Sequence, residues 1–321
     1  MRPIQSRRQF LAAVSTVIGS SGALAGSVSP PITALTFSPD GSQIITGSQS
    51  GLTLLDDSAA LVKSLIVEMD NVHDVQFSPD GNLLVVVGGN PAETGVMELY
   101  HWPSLNREHR HELHEDVIHS VSFSTDGTHL VIASADEVCS VYDLESTKIV
   151  SRFTQHSRGV ASAIFLPDDE TIISGAGDET LRVWTSSTAE DLRTLHNHSR
   201  QVSALALRRN SSGLPLVASA SADLTVRLWQ PTIGRMMRFA KLLSEPLCLA
   251  WCGGGHLIAG CRDGQARLIN ADSVQIERTI DVASGWLYRV AVDPADDRQV
   301  VFGSDDGRVY RVVMTNFAGL R

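Results

Sequence analysis

Cysteine is scarce. Cys139, Cys248, Cys252 and Cys261 are all that 321 residues contain, and no two are spaced as C-x-x-C. That excludes a dense disulfide framework and the paired-thiol zinc and redox motifs. The phosphate-cradling G-x-x-x-x-G-K-[ST], the dinucleotide G-x-G-x-x-G and the nucleophile elbow G-x-S-x-G are also missing, so no local motif points to nucleotide or acyl chemistry. Basic residues are the minority, 26 Lys+Arg against 36 Asp+Glu for a net charge of −10. No basic stripe interleaved with aromatics stands out. This balance argues against nucleic acid and against anionic membrane surfaces as partners. The longest mildly apolar stretch, Phe10–Ala25, falls short of the roughly 20 residues a spanning helix needs, so no membrane insertion is expected. Low-complexity tracts and Pro/Ser-rich linkers are absent too.

What the chain does have is repetition. Hydrophobic residues make up 43% and charged residues 19%, enough to bury a large core. "SGAGDETLRVW" (Ser174–Trp184) is echoed 45 residues later by "SASADLTVRLW" (Ser219–Trp229). "FSPDG" stands at Phe37–Gly41 and Phe77–Gly81, and "FSTDG" at Phe123–Gly127. Each of these follows an alternating run and precedes a short apolar one, the pattern of strand, tight turn, strand. In the turn Pro pre-sets φ, Asp bonds its own backbone and Gly tolerates positive φ. Aligned units start at Ile32, Val72, Ile118, Val160, Val202, Leu247 and Leu287, spaced 40 to 46 residues apart. That period suits a four-stranded propeller blade.

In these phrases the chain resembles the WD-repeat β-propeller family from Ile32 to the C-terminus. The resemblance implies an all-β fold: a single seven-bladed propeller of four-stranded antiparallel blades over residues 26–321. It also implies a buried hydrogen-bonded tetrad in two blades, His156, Ser174, Asp178 and Trp184 in one and His198, Ser219, Asp223 and Trp229 in the other. A set of this kind recurring in two blades is scaffold rather than a catalytic triad. Other units depart from the pattern. The third keeps His114 and Asp136 but has Ile132 and Tyr142 at the Ser and Trp positions. The sixth keeps Asp263 with Ala259 and Ile269, and the seventh keeps Asp306 with Phe302 and Val312.

Residues 1–25 stand apart. "SRRQFL" (Ser6–Leu11), a mildly apolar stretch and "ALA" (Ala23–Ala25), with no acid before Asp40, resemble a bacterial twin-arginine export signal. Its removal takes Arg2, Arg7 and Arg8 and moves the net charge from −10 to −13. The expected location is the periplasm or another exported site, or the cytoplasm if the signal is not used. Because Pro30 and Pro31 cannot donate ladder bonds, Thr315–Arg321 is expected to complete the last blade or leave it short.

Two clusters invite chemical readings. His101, His109, His111, His114 and His119 lie close in sequence, but the spacing misses H-E-x-x-H and the region reads as an outer strand and its loop, so no metal site is expected. If Gly253–His256 is a four-residue turn, Cys248 faces Cys261 within disulfide reach, but two buried free thiols are the reading expected. Function is then expected to be non-enzymatic protein–protein interaction, with no cofactor. Binding of a small molecule, glycan or metal in the central channel is the alternative, and a propeller enzyme a more remote one. Candidate partner-binding residues sit in the loops of one rim: Arg158, Arg200, Arg262, Trp286 and Asp305. Trp and Arg dominate interface hot spots.

Overall fold

The computed structural model describes residues 17–19, 29–209 and 213–314. Among these the chain forms seven four-stranded antiparallel sheets and no α-helix. The inner strands are Ala34–Phe37, Asn71–Phe77, Ile118–Phe123, Val160–Phe165, Val202–Leu207, Pro246–Cys252 and Leu287–Val292. Each begins within two residues of the start read from the repeat. Each inner strand touches the next, and the seventh touches the first. The ring is closed. We number the blades one to seven in chain order, counting each from its inner strand.

Local chemistry explains the regularity. In blade one the Ser-Pro-Asp-Gly turn places Gly41 at φ 73°, and Gly81 in blade two sits at φ 75°. Ser38 donates its hydroxyl to Asp40 (2.6 Å) and accepts the Gln43 N–H (2.9 Å), which ties the turn to the second strand. The middle strands are buried on both faces, as in "IISG" of blade four. The core therefore forms successive clusters of aliphatic side chains between neighbouring blades.

The inner strands are stitched around the channel. Six of them shift register at their second or third residue, and such bulges re-aim side chains. The hydroxyl of Thr33 donates to the Val72 carbonyl, His119 Nδ1–H to Val160 O (3.0 Å) and Ser203 Oγ to Pro246 O (2.7 Å). One residue further in, Asp74 accepts the Val121 N–H (3.1 Å) and Ser120 the Ala163 N–H (3.2 Å). Each bond links a blade to the next.

Closure of blade seven departs from the sequence expectation. Its fourth strand is Val17–Gly19, with Val17 opposite Val312, Ile18 opposite Arg311 and Gly19 opposite Tyr310. Thr315–Arg321, the segment expected to complete this blade, lies outside the described residues. The two prolines pose no obstacle, because the pairing strand lies upstream of them. That strand falls within residues 1–25, which the sequence reading assigned to the export signal.

Candidate functional site

In blade four the side chains of His156, Ser174, Asp178 and Trp184 form one chain of bonds. The indole N–H of Trp184 donates to Ser174 Oγ (3.1 Å), Ser174 lies 2.8 Å from His156 Nε2, and His156 Nδ1 lies 2.9 Å from Asp178. Asp178 also accepts the backbone N–H groups of Ser157 and Thr180. Burial pushes the Asp178 carboxyl up, but the bonds from His156 and Thr180 outweigh it and hold it below the ordinary range. Blade five repeats the arrangement with His198, Ser219, Asp223 and Trp229, at 2.8, 2.7 and 2.8 Å from the Asp to the Trp end. There burial lowers the His198 pKa, and Asp223 is held down to about 2 by Thr225 and His198 against its own burial.

The geometry resembles a Ser-His-Asp triad, yet both serines are 0% exposed and already accept an indole N–H. A nucleophile must reach its substrate. These cannot.

The degenerate blades show which part of the network is dispensable. In blade three His114 still bonds Asp136 at 2.9 Å. With Ile132 and Tyr142 in place of Ser and Trp, His114 Nε2 is buried without a hydrogen-bond partner among the described residues. In blade six the guanidinium of Arg267, 2% exposed, forks onto both oxygens of Asp263 at 2.6 and 3.0 Å. In blade seven Tyr310 donates to Asp306 at 2.6 Å. Repeat alignment missed Arg267 and Tyr310 because neither occupies a tetrad position. The Asp persists for a local reason: in blades three to seven its carboxylate accepts the N–H two residues on. The residue between adopts positive φ, as at Glu137 (73°) and Glu179 (71°). An Asx turn of this type uses the Asp carboxylate whether or not His, Ser and Trp remain.

On the rim, the structure brings three of the five candidate residues together. The guanidinium of Arg262 lies over the Trp286 ring, 4.1 Å from its centroid, and pairs with Glu245 at 3.0 Å. Asp305 donates its backbone N–H to the Trp286 carbonyl (3.1 Å), and Tyr288 meets the indole edge-on at 5.6 Å. Trp286 remains 36% exposed, and Leu243 in the loop before blade six is 91% exposed. Sequence reasoning missed Leu243, Glu245 and Tyr288; strand parity gave no signal for them. Arg158 and Arg200 are exposed in the two preceding loops of the same class.

The channel offers less. Arg289 reaches from blade seven to the carbonyls of Thr33 (2.7 Å), His73 (2.6 Å) and His119 (3.3 Å). Its guanidinium spans blades one to three and lines a cavity of about 140 Å³ together with Asp74, Ser120, Ser162 and Cys248. The histidine-rich stretch disperses: His111 packs on Tyr142, His114 binds Asp136 and His119 turns into the channel.

The cysteine geometry needs correction. The turn is Gly253–Gly255, one residue shorter than assumed, so Cys252 pairs with His256 and Cys248 with Gly260, while Cys261 faces Pro246. All four thiols are free and buried, and burial pushes Cys248 up to about 12 and Cys261 up to about 11.

Comparison with known proteins agrees with this architecture. The family described as WD domain, G-beta repeat matches residues 20–54, 106–143, 147–185 and 189–230. Three of these matches begin at or just before the outer strand of one blade and end with the third strand of the next, so family repeat and blade are offset by one strand. Autophagy-related protein 16 of Arabidopsis thaliana is 24% identical over 276 residues, 70% of this chain and 52% of that protein. The guanine nucleotide-binding protein subunit beta of Zea mays is 26% identical over 171 residues, 49% of this chain and 43% of that protein. The chain spans about half the length of these relatives. It is a seven-bladed β-propeller, four stretches of which are similar to the WD repeat.

Proposed function

We propose that this protein is a non-enzymatic scaffold that holds protein partners on the loop rim of blades five to seven, and that it is exported. The observation that carries the first part is the exposed stack of Arg262 on Trp286, with Leu243 protruding from the neighbouring loop. A large ring and a fork of donors held half out of the surface are what interface hot spots use. One similar protein is by its name a subunit, a chain that works within an assembly. The buried tetrads supply rigidity and no reachable nucleophile. Export rests on Ser6–Leu11, the mildly apolar stretch after it, Ala23–Ala25 and the lack of acids before Asp40.

The test is capture of partners from an envelope fraction by the intact protein, followed by titration with variants. Trp286→Ala and Arg200→Ala should each weaken binding by about 1–3 kcal/mol without unfolding the propeller. Wild-type binding by both variants would move the partner to another face.

A further inference from the structure

Two opposite charges face one cavity in the channel without meeting. Of the residues that line this space of about 140 Å³, Asp74 from blade two and Arg289 from blade seven are the charged ones. Asp74 accepts the backbone N–H groups of Val75 (2.9 Å) and Val121 (3.1 Å), which leaves about half of a carboxylate's acceptor positions open. Arg289 places Nε–H and Nη2–H on the carbonyls of blades one to three, and its Nη1 donors make no bond among the described residues. Burial raises the Asp74 pKa and the Arg289 charge opposes that rise, so the two groups lie near enough to sense each other. Yet every bond that either side chain makes among the described residues goes to the backbone. The neighbouring imidazoles of His73 and His119 meet edge-on at 5.7 Å, and burial keeps both below the ordinary histidine range, so neither adds a positive charge at neutral pH.

The rest of the lining is small and polar on one part, apolar on another. Ser162, 9% exposed, makes no hydrogen bond among the described residues, and the Ser120 hydroxyl oxygen accepts the Ala163 N–H, leaving its proton to give. Leu205 and Leu249 add apolar wall. A cavity of about 150 Å³ holds a benzene ring, so this one admits a molecule of about six non-hydrogen atoms.

We propose that the channel cavity binds one small amino acid as its zwitterion, with the carboxylate on Arg289 and the ammonium group on Asp74. A simple anion would lie against Asp74 and a simple cation against Arg289, each meeting a like charge. A zwitterion gives both buried charges the counter-charge they lack, which is what makes burying a charge tolerable. The hydroxyls of Ser120 and Ser162 supply further bonds to the carboxylate, and the leucines face a short aliphatic side chain. This goes beyond the rim-binding reading and shares no residue with it, so either can fail alone.

Isothermal titration calorimetry of the full chain, dialysed free of amino acids, tests it with L-alanine, which has the size required. Alanine should bind one to one at concentrations up to about 10 mM, a range that detects a Kd of about 1 mM or tighter. Acetate and ethylammonium, which each carry one of its two charges, should bind at least about tenfold more weakly. L-Tryptophan, too large for the cavity, should not bind. Asp74→Asn, shown to be folded by circular dichroism, should lose at least about tenfold in alanine affinity while acetate binds it as well as it binds wild type or better. If that variant does not fold, the comparison of alanine with its two single-charge analogues on wild type decides alone. No heat with alanine would mean that the cavity holds water only, and acetate matching alanine would make it an anion site; either overturns the proposal. So would tryptophan binding as tightly as alanine, or a folded Asp74→Asn that binds alanine like wild type.

Discussion

Replacing Trp184 with Ala probes whether the tetrad carries the stability of blade four. The indole is fully buried and stacks on Phe153 with ring centroids 4.8 Å apart and planes 8° from parallel. Truncation leaves a large cavity in a closely packed wedge between blades, a loss of about 3–5 kcal/mol. It also removes the indole donor to Ser174, whose hydroxyl keeps its bond to His156. A Trp184→Phe variant separates the two effects. It retains an aromatic ring against Phe153 and loses the N–H, so about 1 kcal/mol should disappear. Trp286→Ala is the matched control, because that ring is partly exposed and rests on Arg262. Its loss should cost under about 1 kcal/mol. Guanidinium denaturation followed by far-ultraviolet circular dichroism orders the three midpoints. The reasoning fails if Trp184→Ala and Trp286→Ala shift the midpoint equally, or if Trp184→Phe is as damaging as Trp184→Ala.

Three further outcomes are expected. Deleting Met1–Ala25 removes the strand on Val309–Val313 and should lower the midpoint of thermal unfolding, whereas deleting Thr315–Arg321 should leave it near wild type; the reverse order would place closure at the other end. Changing Arg7 and Arg8 together to Lys keeps the charge and removes the twin-arginine signature, so export should stop, and wild-type levels outside the cytoplasm would discard the signal. Burial lowers the pKa of His73 to about 4 and lowers those of His119 and His198. Each folded value lies below the unfolded 6.5, so the stability these neutral imidazoles carry is complete above about pH 6.5 and is lost as pH falls towards 4. The melting temperature should drop across that window and less steeply in His73→Gln, whereas a flat profile would contradict the burial argument.

The inner strands, the Pro-Asp-Gly turns and both tetrads were legible because each rests on a local pattern that recurs. The rest depended on tertiary placement. Val17–Gly19 is three residues long and has no partner of similar spacing, so nothing in "VIG" marks it as an edge-closing strand. The turn at Gly253–Gly255 was misjudged by one residue, and with a period of two one residue decides which side chain faces which. Arg267 was invisible as a partner of Asp263 because a buried arginine four residues beyond an acid looks like any surface pair.

The two kinds of polar network divide the work of holding this ring. Around the channel, hydroxyl, carboxylate and imidazole groups of the inner strands bond to the backbone of the next blade. Arg289 then ties blade seven to blades one, two and three through three carbonyls. Those bonds join blade to blade and do not involve the tetrads. The tetrads act within a blade, linking the loop that enters it to its second and third strands. A blade can therefore lose its Ser and Trp, as blade three has, without opening the ring. What it cannot lose cheaply is the Asp, which in blades three to seven fixes the turn between the second and third strands. This explains why Asp263 and Asp306 remain where every other tetrad position has become apolar, each bonded to a partner found outside the motif. It also explains why the loops that present Arg262, Trp286 and Asp305 stay ordered in blades without a tetrad: Asp263 and Asp306 pin the turns from which two of them project.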